Sequence, residues 1–202
     1  ATTADFVARR YQVEEKVTQI YAQVGLEGRL GSVPVTGNIG ARLIGADQFS
    51  KGFSVDSTQE LIPVSGGADY WDFAPSLNLN FQVADQSYLR FSLARQVARP
   101  RMYDMRAGRN WSYDPSLSSS NDPGRSPWKA DEAGNPELRP WESDSIDLSF
   151  ERYFREHRGY FSLAVFHKRL RNYIYLQSSL QDFTGYPIRG EEEPVLTQGI
   201  AT

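Results

Sequence analysis

The sequence predicts an all-β chain, an antiparallel up-and-down meander of about six strands. Three observations carry that expectation. Six segments alternate apolar and polar residues with a period of two, the pattern of a strand whose faces meet different surroundings. Helical spacing fits none of them as well. The connections also alternate in length. About four to six residues join strands one and two, three and four, and five and six, while long links separate the pairs.

The first strand falls near residues 17–30, where Ile20, Ala22, Val24 and Leu26 alternate with Gln19, Tyr21, Gln23 and Glu27. After the short break GSVPVTG, the second runs over about 37–45, with Ile39, Ala41 and Leu43 opposite Asn38 and Arg42. The third, 69–83, is the cleanest. Trp71, Phe73, Pro75, Leu77, Leu79, Phe81 and Val83 share one face, and Asp72, Ser76, Asn78, Asn80 and Gln82 the other. Pro75 removes a ladder donor and marks a bulge or the less regular upper end of its strand. The turn ADQS leads to the fourth, 87–98, with Leu89, Phe91 and Leu93 against Arg90, Ser92 and Gln96. In the fifth, 143–154, Ile146, Leu148 and Phe150 alternate with Ser145, Asp147, Ser149 and Glu151. The polar turn REHRG precedes the sixth, 160–176, where Phe161, Leu163 and Val165 oppose Ser162, Ala164 and Lys168. Residues 46–68, 99–142 and 177–202 are expected as long loops.

Composition narrows the function. The chain has 202 residues and a net charge of −3, so nothing electrostatic points to nucleic acid, which calls for a basic patch. Cysteine is absent, which excludes disulfides, thiolate metal sites and cysteine nucleophiles. No apolar run reaches the length of a membrane-spanning helix, about 18 residues. The mean hydropathy of −0.53 would fit a water-soluble chain. It fits a membrane barrel equally, because such a barrel turns only alternate residues to lipid.

Two details favour lipid. The apolar faces are uniform stripes of Leu, Phe, Val and Ile, and aromatics gather near strand ends: Tyr70, Trp71, Tyr88, Trp141, Tyr153, Phe154, Tyr160, Phe161, Tyr173 and Tyr175. Barrels in lipid place aromatic girdles at both interfaces, short turns at one end and long loops at the other. A soluble sandwich alternates too, with aromatics edging its core, so a soluble all-β carbohydrate-binding or adhesion module stays open. Arg95 and Arg152 fall in the apolar phase of strands four and five. Arg152 lies beside the REHRG turn and Arg95 near the loop end, where each can snorkel.

The stretch GNPELRPWESDSIDLSFERYF (134–154) carries a Pro-rich loop straight into a strand. It resembles the Asn-Pro-x-Leu-x-Pro segment and following strand of TonB-dependent outer-membrane receptors. APSLNLNFQVADQSYLRFSLARQVARPRMYDMR is similar to the hairpin before it. VEEKVTQIYAQVGLEGRLGSVPVTGNIGARLIGADQFSKGF resembles the preceding hairpin, and SLAVFHKRLRNYIY the strand that follows. The resemblance covers roughly Val13 to Tyr175 in the family's order. It is nearer to the large receptors of Xanthomonas- and Caulobacter-type bacteria than to short siderophore receptors.

This resemblance implies a transmembrane β-barrel of 22 strands, with short periplasmic turns and long extracellular loops, in the outer membrane of a Gram-negative bacterium. It implies import of a scarce siderophore, glycan or similar ligand with TonB-coupled energy. The implied partners are outer-membrane lipid, a plug domain, and TonB with ExbB and ExbD. About six strands with neither plug nor TonB box form a section of barrel wall, and both chain ends look cut.

Within that reading, Asn135, Pro136, Leu138, Pro140 and Trp141 are structural and fix the return of an extracellular loop, because proline pre-sets φ and biases its predecessor toward extended geometry. Trp141 is then at the outer rim. Asn38, Arg42, Asn78, Asn80 and Arg90 face the lumen. In the longest loop, Arg101, Arg109, Asn110, Trp111, Tyr113 and Trp128 combine flat apolar faces with donors, a mixture suited to sugars or aromatic chelates. Packing of the same residues onto the loop or rim is the competing reading. The Ser-rich stretch SLSSSNDPGRS reads as a mobile loop tip.

No catalytic, cofactor or metal constellation emerges. His157 and His167 have no second ligand at metal spacing, and Asp131, Glu132 and Asn135 do not match a calcium loop. Glu191, Glu192 and Glu193 read as a solvated run. A glycoside hydrolase would need two convergent carboxylates, and no pair stands out, so the chain is not expected to be an enzyme.

Overall fold

The computed structural model describes residues 10–55, 60–130, 133–154, 159–186 and 198–201. His157, Asp131, Glu132 and Glu191 to Glu193 lie outside them. The described chain is all-β and antiparallel in its main sheet, with two single-turn 3₁₀ segments and no α-helix. Six strands follow in spatial order β1 (Gln12–Leu30), β2 (Val33–Val55), β3 (Leu61–Ala84), β4 (Ser87–Ala98), β7 (Trp141–Tyr153) and β8 (Tyr160–Arg171). Every neighbour in the meander is antiparallel. β1 and β8 are not paired with each other, so this sheet does not close.

Short turns sit at one end. Gly31 at φ +63° and Gln86 at φ +54° supply the left-handed residues of the β1–β2 and β3–β4 turns. The break expected over GSVPVTG is narrower than that, because Val33 to Thr36 already belong to β2.

The larger departure concerns 46–68. The expected loop is mostly strand: β2 runs to Val55, β3 begins at Leu61, and the two stay in register as far as Val55 opposite Leu61. β1 likewise starts at Gln12 rather than near 17. β1, β2 and β3 thus reach 19, 23 and 24 residues, while β4, β7 and β8 have 12, 13 and 12. Beyond Gly45 the outward positions turn polar, with Asp47 and Lys51 among Phe49 and Phe53. The apolar alternation fades there although the ladder continues.

Pro75 is not a bulge. It stays in register opposite Ala41, and the register shift lies between Gln82 and Ala84. Pairing of β3 with β4 nevertheless ends at Ser76 opposite Ala94, next to the residue that has no N–H to give. β8 stops at Arg171, and Asn172 at φ +52° breaks the strand expected to continue to 176.

The expected loops 99–142 and 177–202 contain a second, four-stranded sheet. β5 (Trp111–Tyr113) pairs antiparallel with β6 (Trp128–Ala130), β6 parallel with β10 (Gln198–Ala201), and β10 antiparallel with β9 (Ser179–Asp182). Its core is Trp128, Ala130 and Phe183, flanked by Trp111, Tyr113 and Tyr186. The Trp128 and Phe183 rings stack with centroids 5.1 Å apart.

Candidate functional site

Alternation gives the main sheet two unlike faces. On one, Ile20, Val24, Ile39, Leu43, Trp71, Phe73, Ile146, Leu148, Leu163 and Val165 remain exposed. The other collects the polar residues, and its two ends differ.

Toward the turns, the polar face is open. Asn38 lies opposite Asn78, and Asn80 opposite Arg90. The Asn78 Nδ2 donates to Asn38 Oδ1 at 2.9 Å, and Arg90 pairs with Glu151 at 3.0 Å. These residues, with Ser92, Asp147 and Phe166, line a trough of about 540 Å³. Arg42 shares the face two same-face positions further toward the loops, opposite Ala74. All five residues expected in the lumen therefore fall on one polar surface.

Toward the loops, the same face is covered. The chain leaving β4 folds back along β2 instead of projecting away. Ala107 N donates to Ser50 Oγ at 2.7 Å, Arg109 N to Ser54 Oγ at 2.8 Å, and Val55 N to Asn110 Oδ1 at 3.2 Å. Arg99 ties the base of this segment to β1 through Glu15 at 2.6 Å. Gly52 lets the backbone approach, since a Cβ there would meet the Ala107 carbonyl oxygen at 2.7 Å.

The Asn-Pro-x-Leu-x-Pro segment docks beside it. Asn135 closes a local turn by accepting from Glu137 N at 2.9 Å, while its own N–H donates to Asp104 O at 2.7 Å. Gln48 Nε2 donates to Pro136 O at 2.7 Å and Leu138 O at 2.8 Å. Gly66 makes room beneath the Pro136 ring, which a Cβ would touch at 3.2 Å. Pro140 is fully buried, and exposed Trp141 opens β7 with its ring 5.1 Å from that of Tyr173.

The aromatic loop set divides. Trp128 is 2% exposed, and Asn110 is held by Val55, so neither is a free platform; packing onto loop and rim describes both. Trp111 and Tyr113 are half-buried against Tyr186 and Trp128, at 5.0 and 4.9 Å between centroids. The Arg109 guanidinium donates to Gln181 at 2.8 Å, which joins the two loops. Arg101 is exposed. Just before the Ser-rich stretch, Asp114 caps the 3₁₀ turn Pro115–Leu117. It accepts from Ser116 N at 3.0 Å and Ser116 Oγ at 2.7 Å, and these bonds hold its carboxyl below the usual range.

Sequence reasoning passed over Gln48, Ser50 and Ser54, the residues that hold the cover down. Their signal was available: in QFSKGFS they occupy the polar phase that alternates with Phe49 and Phe53. It also left Arg95 without a partner. The structure supplies one, because Asp144 lies directly opposite and accepts from Arg95 Nε at 2.6 Å and Nη2 at 3.2 Å.

Among the described residues no group of His, Asp or Glu could hold a metal ion. No helix is long and apolar enough to cross a membrane, which says nothing of a β-barrel.

No curated protein matches the sequence. Among solved structures, the chain is similar to the ferric enterobactin receptor of Pseudomonas aeruginosa, an arginine-to-alanine mutant in complex with enterobactin. The identity is 16% and the TM-score 0.45, over 94% of this chain and 31% of that one. The chain thus spans about a third of that receptor's length. The family model described as "TonB dependent receptor-like, beta-barrel" matches residues 2–199, nearly the whole chain, and the chain therefore belongs to the TonB-dependent receptor β-barrel family.

Proposed function

We propose that this chain is a section of the wall of an outer-membrane transporter of a Gram-negative bacterium, of the larger Xanthomonas- or Caulobacter-type receptors. In that reading the whole receptor, of 22 strands, takes up a scarce siderophore, glycan or similar ligand with energy delivered through TonB, ExbB and ExbD. The observation that carries the proposal is the uncovered apolar face of the main sheet. Ile39, Trp71, Phe73 and Leu163 are 50%, 60%, 54% and 61% exposed on one face, while Asn38, Asn78, Asn80 and Arg90 occupy the other. A water-soluble sandwich would bury that apolar face against a second layer. A wall between lipid and an aqueous interior leaves it to the lipid.

Dimensions support it. A tilted strand crosses a bilayer in about 9–11 residues. β4, β7 and β8, with 12, 13 and 12 residues, slightly exceed that length, and β1 to β3 overhang it much further on the loop side. On β7 the outward apolar run Ile146, Leu148, Phe150 is bounded by Asp144 and Arg152. About eight residues separate the two, roughly 26 Å along the strand. Tilted by about 35–45°, that spans roughly 20 Å, close to the apolar band of about 25 Å.

The open half of the polar face, with Asn38, Arg42, Asn78, Asn80 and Arg90, is assigned to the lumen, where the plug domain or a passing solute meets it. The covered half is assigned to the extracellular rim. There Arg101, Arg109, Trp111 and Tyr113 stand over the mouth as the candidate ligand contacts, while Asn110 and Trp128 hold the loop in shape.

Protease protection tests the assignment. In outer-membrane vesicles carrying the full-length receptor, an external protease should cut within 99–140 and leave β4, β7 and β8 intact. Cleavage throughout those strands, or a monodisperse receptor in buffer without detergent, would overturn it.

A further inference from the structure

We infer that the edge of β3 above the end of β4 is a docking site for an extended peptide, which joins the main sheet as an added strand and places a basic residue opposite Asp69. The inference rests on the outer-membrane reading above only for what can reach that edge.

Two prolines fix which way the backbone points. Pro63 and Pro75 stay in register opposite Phe53 and Ala41. An antiparallel ladder accommodates a proline where its nitrogen points away from the paired strand. The two prolines lie an even number of residues apart in an unbroken register. Ser65, Gly67, Asp69 and Trp71, between them, therefore also turn N–H and C=O away from β2.

Toward the turns β4 occupies that side of β3; toward the loops nothing does. Pairing ends at Ser76 opposite Ala94, and the same register would bring Ala98, the last residue of β4, level with Asp72. Among the described residues, no backbone group from Ser65 to Trp71 bonds to any element but β2. The stretch offers alternating donors and acceptors along roughly 20 Å of edge. Another extended backbone repeats such groups at the same spacing, whereas a sugar or a chelate does not, so the occupant is polypeptide.

Geometry and charge narrow its source. The chain leaving β4 is committed to the inner face through Ser50 and Ser54. A second receptor in the same membrane cannot offer its own β3, because each bare edge stands above its own β4, β7 and β8. Asp69 then selects the sequence. It lies directly opposite Asp47, with Lys16 on the far side of Asp47 and no strand beyond Asp69. Neither Asp47 nor Asp69 has an ion-pair partner among the described residues. Arg95 and Arg139 act on Asp72 instead. Like charges opposite one another on a sheet repel, and a lysine or arginine on the added strand relieves the pair.

The test uses the full-length receptor in lipid nanodiscs and a short fluorescent peptide of alternating threonine and valine with a central lysine. Binding is followed by fluorescence anisotropy. With the lysine opposite Asp69, the amides of the lysine and of every second residue from it face β3. N-methylation of that set should abolish binding, and N-methylation of the other set should leave it intact. Ser65→Pro removes one edge donor and should weaken binding about two- to ten-fold, whereas Ser65→Ala should not. Asp69→Asn should weaken it about two- to five-fold, and a glutamate in place of the lysine should weaken binding to the wild type. Equal loss with either methylated set, no binding of the unmethylated peptide, or full binding in Ser65→Pro would overturn the site. A receptor that stays monodisperse without lipid or detergent would instead contradict the outer-membrane reading, and the methylation contrast would then be measured in plain buffer.

Discussion

The two halves of the β2–β3 hairpin share a ladder and an alternation, yet they are built for different surroundings. In the half near the turns, outward Ile39 and Leu79 belong to the apolar band and inward Asn38 and Asn78 bond to each other across an open trough. In the half near the loops, the inward Gln48, Ser50 and Ser54 are buried, each bonded to a backbone group about 55–90 residues away in sequence. One polar face thus performs two tasks. Where it is covered by its own loop, small hydroxyls and glycines prevail, because a second backbone must approach. Where it is open, amides and an arginine line the trough.

Stripping the cover is the strongest way to break this contrast. Trp128→Ala should remove about 3–5 kcal/mol from the small sheet, the usual range for truncating a buried aromatic. Hydrogen exchange should then rise across 104–130 toward that of an unanchored loop, with β4, β7 and β8 unaffected. The contrast between outward positions comes next. Ile39→Arg should cost about 2–4 kcal/mol of membrane-folded stability, and Phe49→Arg about 0–1, because only the first lies at bilayer depth. Denaturant titration of the full-length receptor in liposomes measures both, and equal costs would erase the distinction between the halves.

A subtler probe is Gln48→Ala, which deletes the two bonds to Pro136 O and Leu138 O. At about 0.5–1.5 kcal/mol each, the loss should free 134–140 to exchange without unfolding β2. The smallest effect is a pH response at Asp114. Its carboxyl lies below the ordinary value of 3.8 through its bonds to Ser116. A depressed acid stabilises its turn above the unfolded pKa and loses that contribution as pH falls through the folded one. Amide protection at Ser116 to Ser118 should therefore drop only in strong acid, and Asp114→Asn should remove the dependence.

Much of the main sheet was legible in the sequence, because two unlike surroundings, lipid and water in the proposed wall, impose the period-two pattern that 69–83 and 143–154 display. Legibility ended where those surroundings end. Beyond Gly45 both faces of β2 meet polar groups, so Asp47 and Lys51 interrupt the outward stripe and the strand reads as loop. The small sheet was invisible for another reason. β5 and β6 have three residues each, too few to show a period, and their partners β9 and β10 come from the far end of the chain. The aromatic loop set could be picked out in the sequence by residue type but not by placement. Trp128 and Trp111 look alike in sequence, and only the stacking of Trp128 on Phe183 separates a core residue from a rim residue.

The most direct test of the wall uses a feature of composition: the chain has no cysteine of its own. Single Ile39→Cys, Leu163→Cys, Asn38→Cys and Asn80→Cys variants of the full-length receptor, in a background with every cysteine outside this chain replaced by serine, can be labelled with an environment-sensitive fluorophore and placed in bilayers of brominated lipid. Labels at 39 and 163 should be quenched by the bromines and those at 38 and 80 spared. Equal quenching at all four positions, or none at 39 and 163, would contradict a sheet with one face in lipid and the other toward an aqueous interior.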